Sequence, residues 1–102
     1  MTVDTYRARW EAQPQNLLAR FSYAQKLTED ESWAEAVPHL EACLAERPDW
    51  LIPHILLGKA HLAVGNRSAA KLLFEKACDL AREQEHETPL EEAQALLEEC
   101  EE

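Results

Sequence analysis

The sequence contains few residues that interrupt helices or cross-link a chain. Only two of its 102 residues are glycine, Gly58 and Gly65, and this composition favours long helices over a sheet with many turns. Its three cysteines are an odd number without a Cys-x-x-Cys pair, which favours free thiols. We therefore predict a cytoplasmic protein in which Cys43 and Cys78 are reduced, buried and act as small hydrophobic residues.

Long apolar runs and an export signal are also missing. No stretch approaches the ~18 unbroken apolar residues that a transmembrane helix needs. The start of the chain, Met1-Thr2-Val3-Asp4, lacks the basic flank and the apolar run of a signal peptide. We therefore expect no membrane partner. The apolar content of 46% is enough for the core of a single domain over residues 1–102.

Basic residues are missing from the last fifth of the chain. All ten Lys and Arg residues lie within residues 1–82 together with eleven of the 20 acidic residues, whereas residues 83–102 hold nine acids. The net charge of −10 therefore belongs mainly to the tail, and it argues against nucleic acid or an anionic membrane as a partner. Two interpretations stay open, a solvated end that keeps the protein soluble and a docking surface for a basic partner.

What the sequence does contain is a pattern of helix pairs that repeats every 34 residues. On both sides of Gly65-Asn66, apolar and small residues at helical spacing indicate a helix, a tight reversal and a second helix. The small residues Gly58 and Ala70 would let these two helices approach closely. The same pattern occurs 34 residues earlier, before a closing proline, in Tyr23, Ala24, Leu27, Ala36, Leu40, Cys43 and Pro48.

This period of helix pairs resembles the tetratricopeptide repeat family, and the chain is similar to small bacterial members with two repeats and a terminal helix. The resemblance implies an all-α fold of antiparallel helix hairpins, with about six helices in a short right-handed α-solenoid. Repeat 1 is predicted at residues 15–48 and repeat 2 at 49–82, with capping helices at 2–13 and 88–100. The capping helices would compensate for having two repeats, because three are usually needed for stability.

Finer expectations concern the ends of the helices. Four polar residues are predicted to cap the helices that follow them: Asn16, Asp49, Ser68 and Thr88. Pro89 is predicted at the first position of the last helix. The family usually places glycine where Glu31 stands, so we expect a wider turn there than at Gly65-Asn66. Arg82 stands in place of the family's closing proline, so the second helix of repeat 2 is expected to run past the repeat boundary.

Residues that could carry chemistry do not form a known motif. His54 and His61 are seven residues apart, about 10.5 Å along a helix, which is too far for one zinc ion. We predict that both are core residues between the paired helices. His39 and Cys43 have the i, i+4 spacing of two metal ligands, but no third ligand accompanies them. We therefore predict a protein that is not an enzyme and has no cofactor or metal, with a metal sensor as the least favoured alternative.

The resemblance instead places function on a surface, because the first helices of successive tetratricopeptide repeats line a concave groove that receives a peptide or a helix. Eight side chains at i, i+3, i+7 and i+10 of these helices would face the groove: Leu18, Phe21, Gln25, Thr28, Ile52, Ile55, Lys59 and Leu62. Five of them are apolar, and an exposed apolar patch usually marks a contact site. Some members of the family use such grooves to bind a carboxylate. Here the groove offers only Lys59 and Gln25 for that purpose, so an apolar ligand fits better.

We therefore predict an adaptor that binds an apolar or amphipathic segment of another protein in this groove. Two alternatives use the same residues differently. In the first, the apolar face joins two copies of the chain into a homodimer. In the second, the terminal helix of the chain itself fills the groove.

Overall fold

The computed structural model of the protein describes residues 1–101, which form six helices and no strand. In chain order these are α1 (Val3–Ala12), α2 (Leu17–Glu29), α3 (Trp33–Glu46), α4 (Leu51–Ala63), α5 (Arg67–Glu83) and α6 (Glu87–Glu101). Each helix packs against the next one, and α4 also contacts α2 and α6. The predicted all-α fold of stacked helix hairpins is confirmed. No helix within residues 1–101 has both the length and the apolar character needed to cross a bilayer.

Two helices approach closely in the hairpin of α4 and α5. A Cβ atom placed on Gly58 would lie 2.4 Å from Cε1 of Phe74, a distance at which the ring would have to move. Phe74 and Ala70 are both fully buried. The aromatic ring of α5 therefore occupies the space that the missing side chain of Gly58 leaves.

The reversal between α2 and α3 has the same form as the one between α4 and α5. Glu31 has a φ of +60° and Gly65 a φ of +89°. The N–H of Ser32 donates to the carbonyl of Leu27 at 2.8 Å, and the equivalent bond across the turn at Gly65-Asn66 is also 2.8 Å. Both are six-residue C-terminal capping motifs. The expectation of a wider turn is wrong, because Glu31 itself adopts the left-handed conformation that favours glycine.

The end of α5 uses this motif a third time. Glu85 has a φ of +57°, and the N–H of His86 donates to the carbonyl of Ala81 at 2.9 Å. α5 extends to Glu83, beyond the position that corresponds to the end of α3 at Glu46, so the predicted overrun is confirmed. A turn of this kind reverses the chain within a few residues, and it therefore places α6 directly against α5.

Asn16 caps α2 as predicted, since its side-chain oxygen accepts the N–H of Ala19 at 3.1 Å. The predicted capping roles of Asp49 and Ser68 are wrong. Trp50 precedes α4 and makes no side-chain capping bond. Asn66 caps α5 through the N–H of Ala69 at 3.3 Å, two residues before the predicted position. The starts of α4 and α5 keep the 34-residue offset from α2 and α3, so packing in the repeat, rather than the best local capping residue, decides where they begin.

The predicted start of α6 is also wrong. The helix begins at Glu87, and the N–H of Leu90 donates to the carbonyl of His86 at 3.2 Å. Thr88 and Pro89 therefore lie inside the first turn and are neither the cap nor the first helical residue. Proline is tolerated there because backbone N–H groups in the first turn lack acceptors within the helix.

Candidate interaction surface

The helices α2, α4 and α6 form one side of the molecule. Each is separated from the next by a single helix that runs the other way, so the three share one direction and their N-terminal ends lie at the same edge. The predicted groove residues belong to α2 and α4. We call the side formed by α2, α4 and α6 the inner face.

The predicted residues differ in how accessible they are. Leu18 is 60% exposed and Ile52 is 36% exposed, although both are large apolar side chains. These two residues occupy equivalent positions, 34 residues apart, at the second position of α2 and of α4. Gln25 is also exposed, whereas Phe21 is half-buried.

Ile55 does not lie on an open surface, so its prediction as a groove residue needs correction. Its side chain is only 2% exposed and belongs to a core cluster with Ala77 and Ala93, from α5 and α6. The leucines of α6 pack against the same cluster. The terminal helix thus covers this flank of α4, as one of the alternatives from the sequence anticipated. Leu62 is half-buried for the same reason, since it packs against a second cluster that contains Cys100 of α6.

Thr28 is also unavailable to a ligand. It is 6% exposed, and its hydroxyl donates to the carbonyl of Gln25 at 2.7 Å within α2. Lys59 is half-buried, and its Nζ lies 2.9 Å from a carboxylate oxygen of Glu92. This ion pair connects α4 to α6 across the inner face. It also partly neutralises the lysine that a carboxylate ligand would need.

Trp50 is a residue of this surface that the sequence analysis missed. Its ring lies 4.6 Å from the ring of Phe21, measured between centroids, at an interplanar angle of 40°. The guanidinium carbon of Arg47 lies 5.5 Å from the centre of the same ring. Trp50 therefore connects α2 to the start of α4, and the apolar residues of these two segments define a surface. We call it the apolar strip, and it consists of Leu18, Phe21, Trp50 and Ile52.

A signal for Trp50 was present in the sequence. The residue lies just before an apolar helix, at the position where the first repeat has the polar Asn16. A large aromatic residue in place of a polar cap cannot satisfy backbone N–H groups, which points to a role in packing or binding. The incorrect prediction of Asp49 as the cap assigned Trp50 to the first position of the helix itself, so this replacement was overlooked.

The apolar strip continues into a pocket between the N-terminal ends of α4 and α6. The pocket has a volume of about 260 Å3. On one side the side-chain amide of Gln84 donates to the backbone carbonyl of Asp49 at 3.0 Å, which connects the end of α5 to the start of α4. The pocket is lined by Asp49, Trp50, Leu51, Ile52, Gln84, His86 and Pro89. Its size suits one large apolar side chain.

Two histidines, His39 and His54, and the three buried cysteines serve packing. His54 is 7% exposed, and its Nε2 donates to the carbonyl of Pro48 at 2.8 Å. Nδ1 of His39 accepts a hydrogen bond from Nε of Arg20 at 3.0 Å, which fixes the ring against α2. Burial raises the pKa of the Cys43 thiol to about 11, which keeps it protonated and unreactive. Within residues 1–101, no group of three or more metal-ligating side chains converges.

Comparison with known proteins identifies the fold. No family model matches the sequence, and no curated protein matches it. The structure is similar to the solution structure of a protein from Bordetella parapertussis, with 25% identity and a TM-score of 0.82 over 98% of this chain and 87% of that chain. It is also similar to a tetratricopeptide repeat domain protein from Salinibacter ruber, with 21% identity and a TM-score of 0.75 over 84% and 97% of the two chains.

A third similar structure is MamA from Desulfovibrio magneticus, with 22% identity and a TM-score of 0.73 over 94% of this chain and 63% of that one. The stacked hairpins define the class, a helical repeat protein. Three observations then specify the fold as that of tetratricopeptide repeats: the 34-residue register, the packing of Gly58 against the ring of Phe74, and the likeness to the solved structures.

Proposed function

We propose that this protein is a protein-binding module and adaptor that takes an apolar or amphipathic segment of another protein onto its apolar strip. The observation that carries the proposal is the exposure of Leu18 and Ile52 at equivalent positions of two repeats, connected by the contact between Phe21 and Trp50. Exposed apolar side chains that form a contiguous patch usually mark a contact site. The role is a non-catalytic one in the cytoplasm.

The energetics favour an apolar ligand. Covering about 300 Å2 of apolar surface would favour association by about 7 kcal/mol before the costs of ordering and lost rigid-body freedom. Phe21 and Trp50 already support each other, so little side-chain freedom is lost when a ligand covers them. The pairing of Lys59 with Glu92 argues against capture of a C-terminal carboxylate. Gln25, Lys59 and the accessible part of Leu62 would border the ligand.

The test compares two doubly substituted chains of equal charge. Leu18→Glu/Ile52→Glu places two carboxylates in the apolar strip. Val64→Glu/Leu72→Glu changes two other exposed apolar residues, which are 52% and 68% exposed and lie outside the strip. Each chain is used to capture proteins from native lysate, and captured proteins are identified by mass spectrometry. We expect a partner that the unmodified and control chains retain and the strip variant loses. Equal recovery by all three chains would refute the proposal.

Self-association through the same strip is the alternative. Sedimentation of the purified chain at micromolar concentration distinguishes the two. A monomer excludes the homodimer, whereas a dimer that the Leu18→Glu/Ile52→Glu variant dissociates would replace the adaptor as the function of the strip.

A further inference from the structure

We propose that the segment bound by the apolar strip is basic and amphipathic, with Lys or Arg side chains beside the carboxylates near the starts of α4 and α6. This inference rests on the proposed function and names the chemical class of its partner. It follows from where the acidic side chains lie relative to the strip.

The end of the apolar strip lies among carboxylates. Asp49 lines the 260 Å3 pocket that the strip enters. A second pocket of about 490 Å3 shares His86 with it and is lined in part by Glu85 and Glu87. Glu91 follows one turn later on α6 and is exposed. An occupant of the strip that extends toward α6 would therefore meet acidic side chains.

Within residues 1–101, these carboxylates form no ion pair with the bases at this surface, Arg47 beside the ring of Trp50 and Arg82 in the second pocket. Among the described residues, the ion pairs use Asp4, Glu29, Glu35, Asp79 and Glu92, and none uses Asp49, Glu85, Glu87 or Glu91. Arg82 lines the second pocket, but its guanidinium lies 3.7 Å from Asp79. Exposed charges of one sign beside an apolar surface raise the local concentration and the association rate of an oppositely charged ligand. The surface is therefore complementary to a segment with apolar and basic side chains.

A basic segment can use both parts of this surface. Lys and Arg side chains have apolar stems that pack against aromatic and aliphatic groups while the charged ends remain hydrated. The ring of Trp50 already has a guanidinium, that of Arg47, near its centre at 5.5 Å. A second copy of this chain fits less well, because each copy carries a net charge of −10 and the two copies would repel each other.

Two synthetic peptides provide the first test. One is an amphipathic helical peptide of leucine and lysine, and the other has the same pattern with glutamate in place of lysine. Binding of each fluorescently labelled peptide to the full chain is measured by anisotropy at about 50 mM and about 300 mM salt. We expect the lysine peptide to bind at least ~10-fold more tightly than the glutamate peptide at low salt, and to weaken several-fold at high salt. Equal affinities, or no binding of the lysine peptide, would overturn the inference.

Matched variants separate this site from the overall charge of the protein. Asp49→Asn/Glu87→Gln removes one carboxylate from each of the two pockets. Glu41→Gln/Glu75→Gln removes two exposed carboxylates from α3 and α5 and changes the net charge equally. Circular dichroism first establishes that both variants are folded. We expect the pocket variant to bind the lysine peptide at least ~5-fold more weakly and the control to bind within about twofold of the unmodified chain.

The remaining outcomes assign a failure to one proposal or the other. If both charge variants weaken binding equally, the attraction is due to the net charge of the protein, and the inference of a basic partner for this site is wrong. If Leu18→Glu/Ile52→Glu abolishes binding while Asp49→Asn/Glu87→Gln does not, the strip is a binding site but the inferred charge of its partner is wrong. If Leu18→Glu/Ile52→Glu binds the lysine peptide like the unmodified chain, the peptide does not use the strip, and both proposals fail for this ligand. If the chain forms a dimer that becomes more stable at high salt, the occupant of the apolar strip is a second copy of the chain.

Discussion

His39 connects α1 to the first hairpin through its ring. Its centroid lies 4.7 Å from that of Trp10 and 4.9 Å from that of Tyr23, and its Nδ1 accepts a hydrogen bond from Arg20. Burial, and secondarily the charge of Arg20, lowers the pKa of His39, while Glu35 acts weakly in the opposite direction. The fold therefore requires the neutral ring, because a protonated Nδ1 cannot accept the hydrogen bond.

We expect the free energy of unfolding to fall as the pH decreases from about 7.5 to about 5.5. Because the pKa of His39 is lower in the folded state, the unfolded chain binds more protons and acid favours unfolding. The stabilisation that the neutral ring of His39 provides is complete above the ordinary histidine pKa of ~6.5. It is lost as the pH falls toward the pKa of His39 in the folded state. His54, whose pKa burial also lowers, adds an effect of the same sign.

Urea unfolding at a series of pH values measures this dependence. The variant His39→Gln keeps a polar side chain that cannot titrate, so its stability should fall less over the same range. The double variant His39→Gln/His54→Gln should fall less again. A pH dependence identical in the unmodified and doubly substituted chains would contradict the assignment to these two rings.

At the scale of the helices, three chain reversals use the same C-terminal capping motif with different residues. The C-terminal ends of α2, α4 and α5 are each closed by one residue in the left-handed region, and only the second is a glycine. A residue with a side chain costs about 1 kcal/mol or more in this conformation, and glycine does not incur that cost. Glu31 and Glu85 therefore each lower the free energy of unfolding relative to a glycine at the same position.

We expect Glu31→Gly to increase the free energy of unfolding by about 0.5–1 kcal/mol, because the relief of strain exceeds the extra freedom that glycine has in the unfolded chain. The control is Glu41→Gly, which introduces the same residue at an exposed position inside α3 and should destabilise by about 1 kcal/mol. Urea titration of both variants measures the two changes. If both substitutions destabilise the protein alike, the conformation of Glu31 carries no appreciable strain.

The helix pairs could be predicted from the sequence because their signal is periodic and local. The spacing around Gly58 and the 34-residue offset give the hairpins and their order directly. The positions of the side chains at helix boundaries depend on tertiary packing instead. Asp49 is a better capping residue than Trp50, yet the repeat register starts α4 after Trp50. Local propensity is a weaker determinant there than burial of the helix face.

The candidate surface was predicted in part for the same reason. Leu18 and Ile52 share a helix position that the spacing alone identifies, and both are exposed. Ile55 lies on the neighbouring flank of α4, and its burial depends on how α6 packs across two other helices. No spacing within α4 contains that information. Packing between different helices likewise brings Trp50, which precedes α4, next to Phe21 of α2.

At the scale of the whole molecule, the two end helices contribute unequally. α6 buries Ala93 and Cys100 and packs its leucines against two separate core clusters. α1 has no buried residue and contributes only partly buried side chains, Trp10 among them, to a third cluster. The array therefore depends more on the helix at its C-terminal end than on the one at its start.

We expect a chain that ends at His86, without α6, to lose its cooperative unfolding transition, because Ile55 and Phe74 would lose the helix that covers them. Each large apolar side chain so exposed costs about 1.5–3 kcal/mol, and a domain of this size has only about 5–15 kcal/mol in total. A chain that begins at Gln13, without α1, should still melt cooperatively, at a lower temperature. Thermal melts followed by circular dichroism compare both chains with the intact protein. Cooperative melting of the chain without α6 near the temperature of the intact protein would show that two hairpins fold without the helix that seals them.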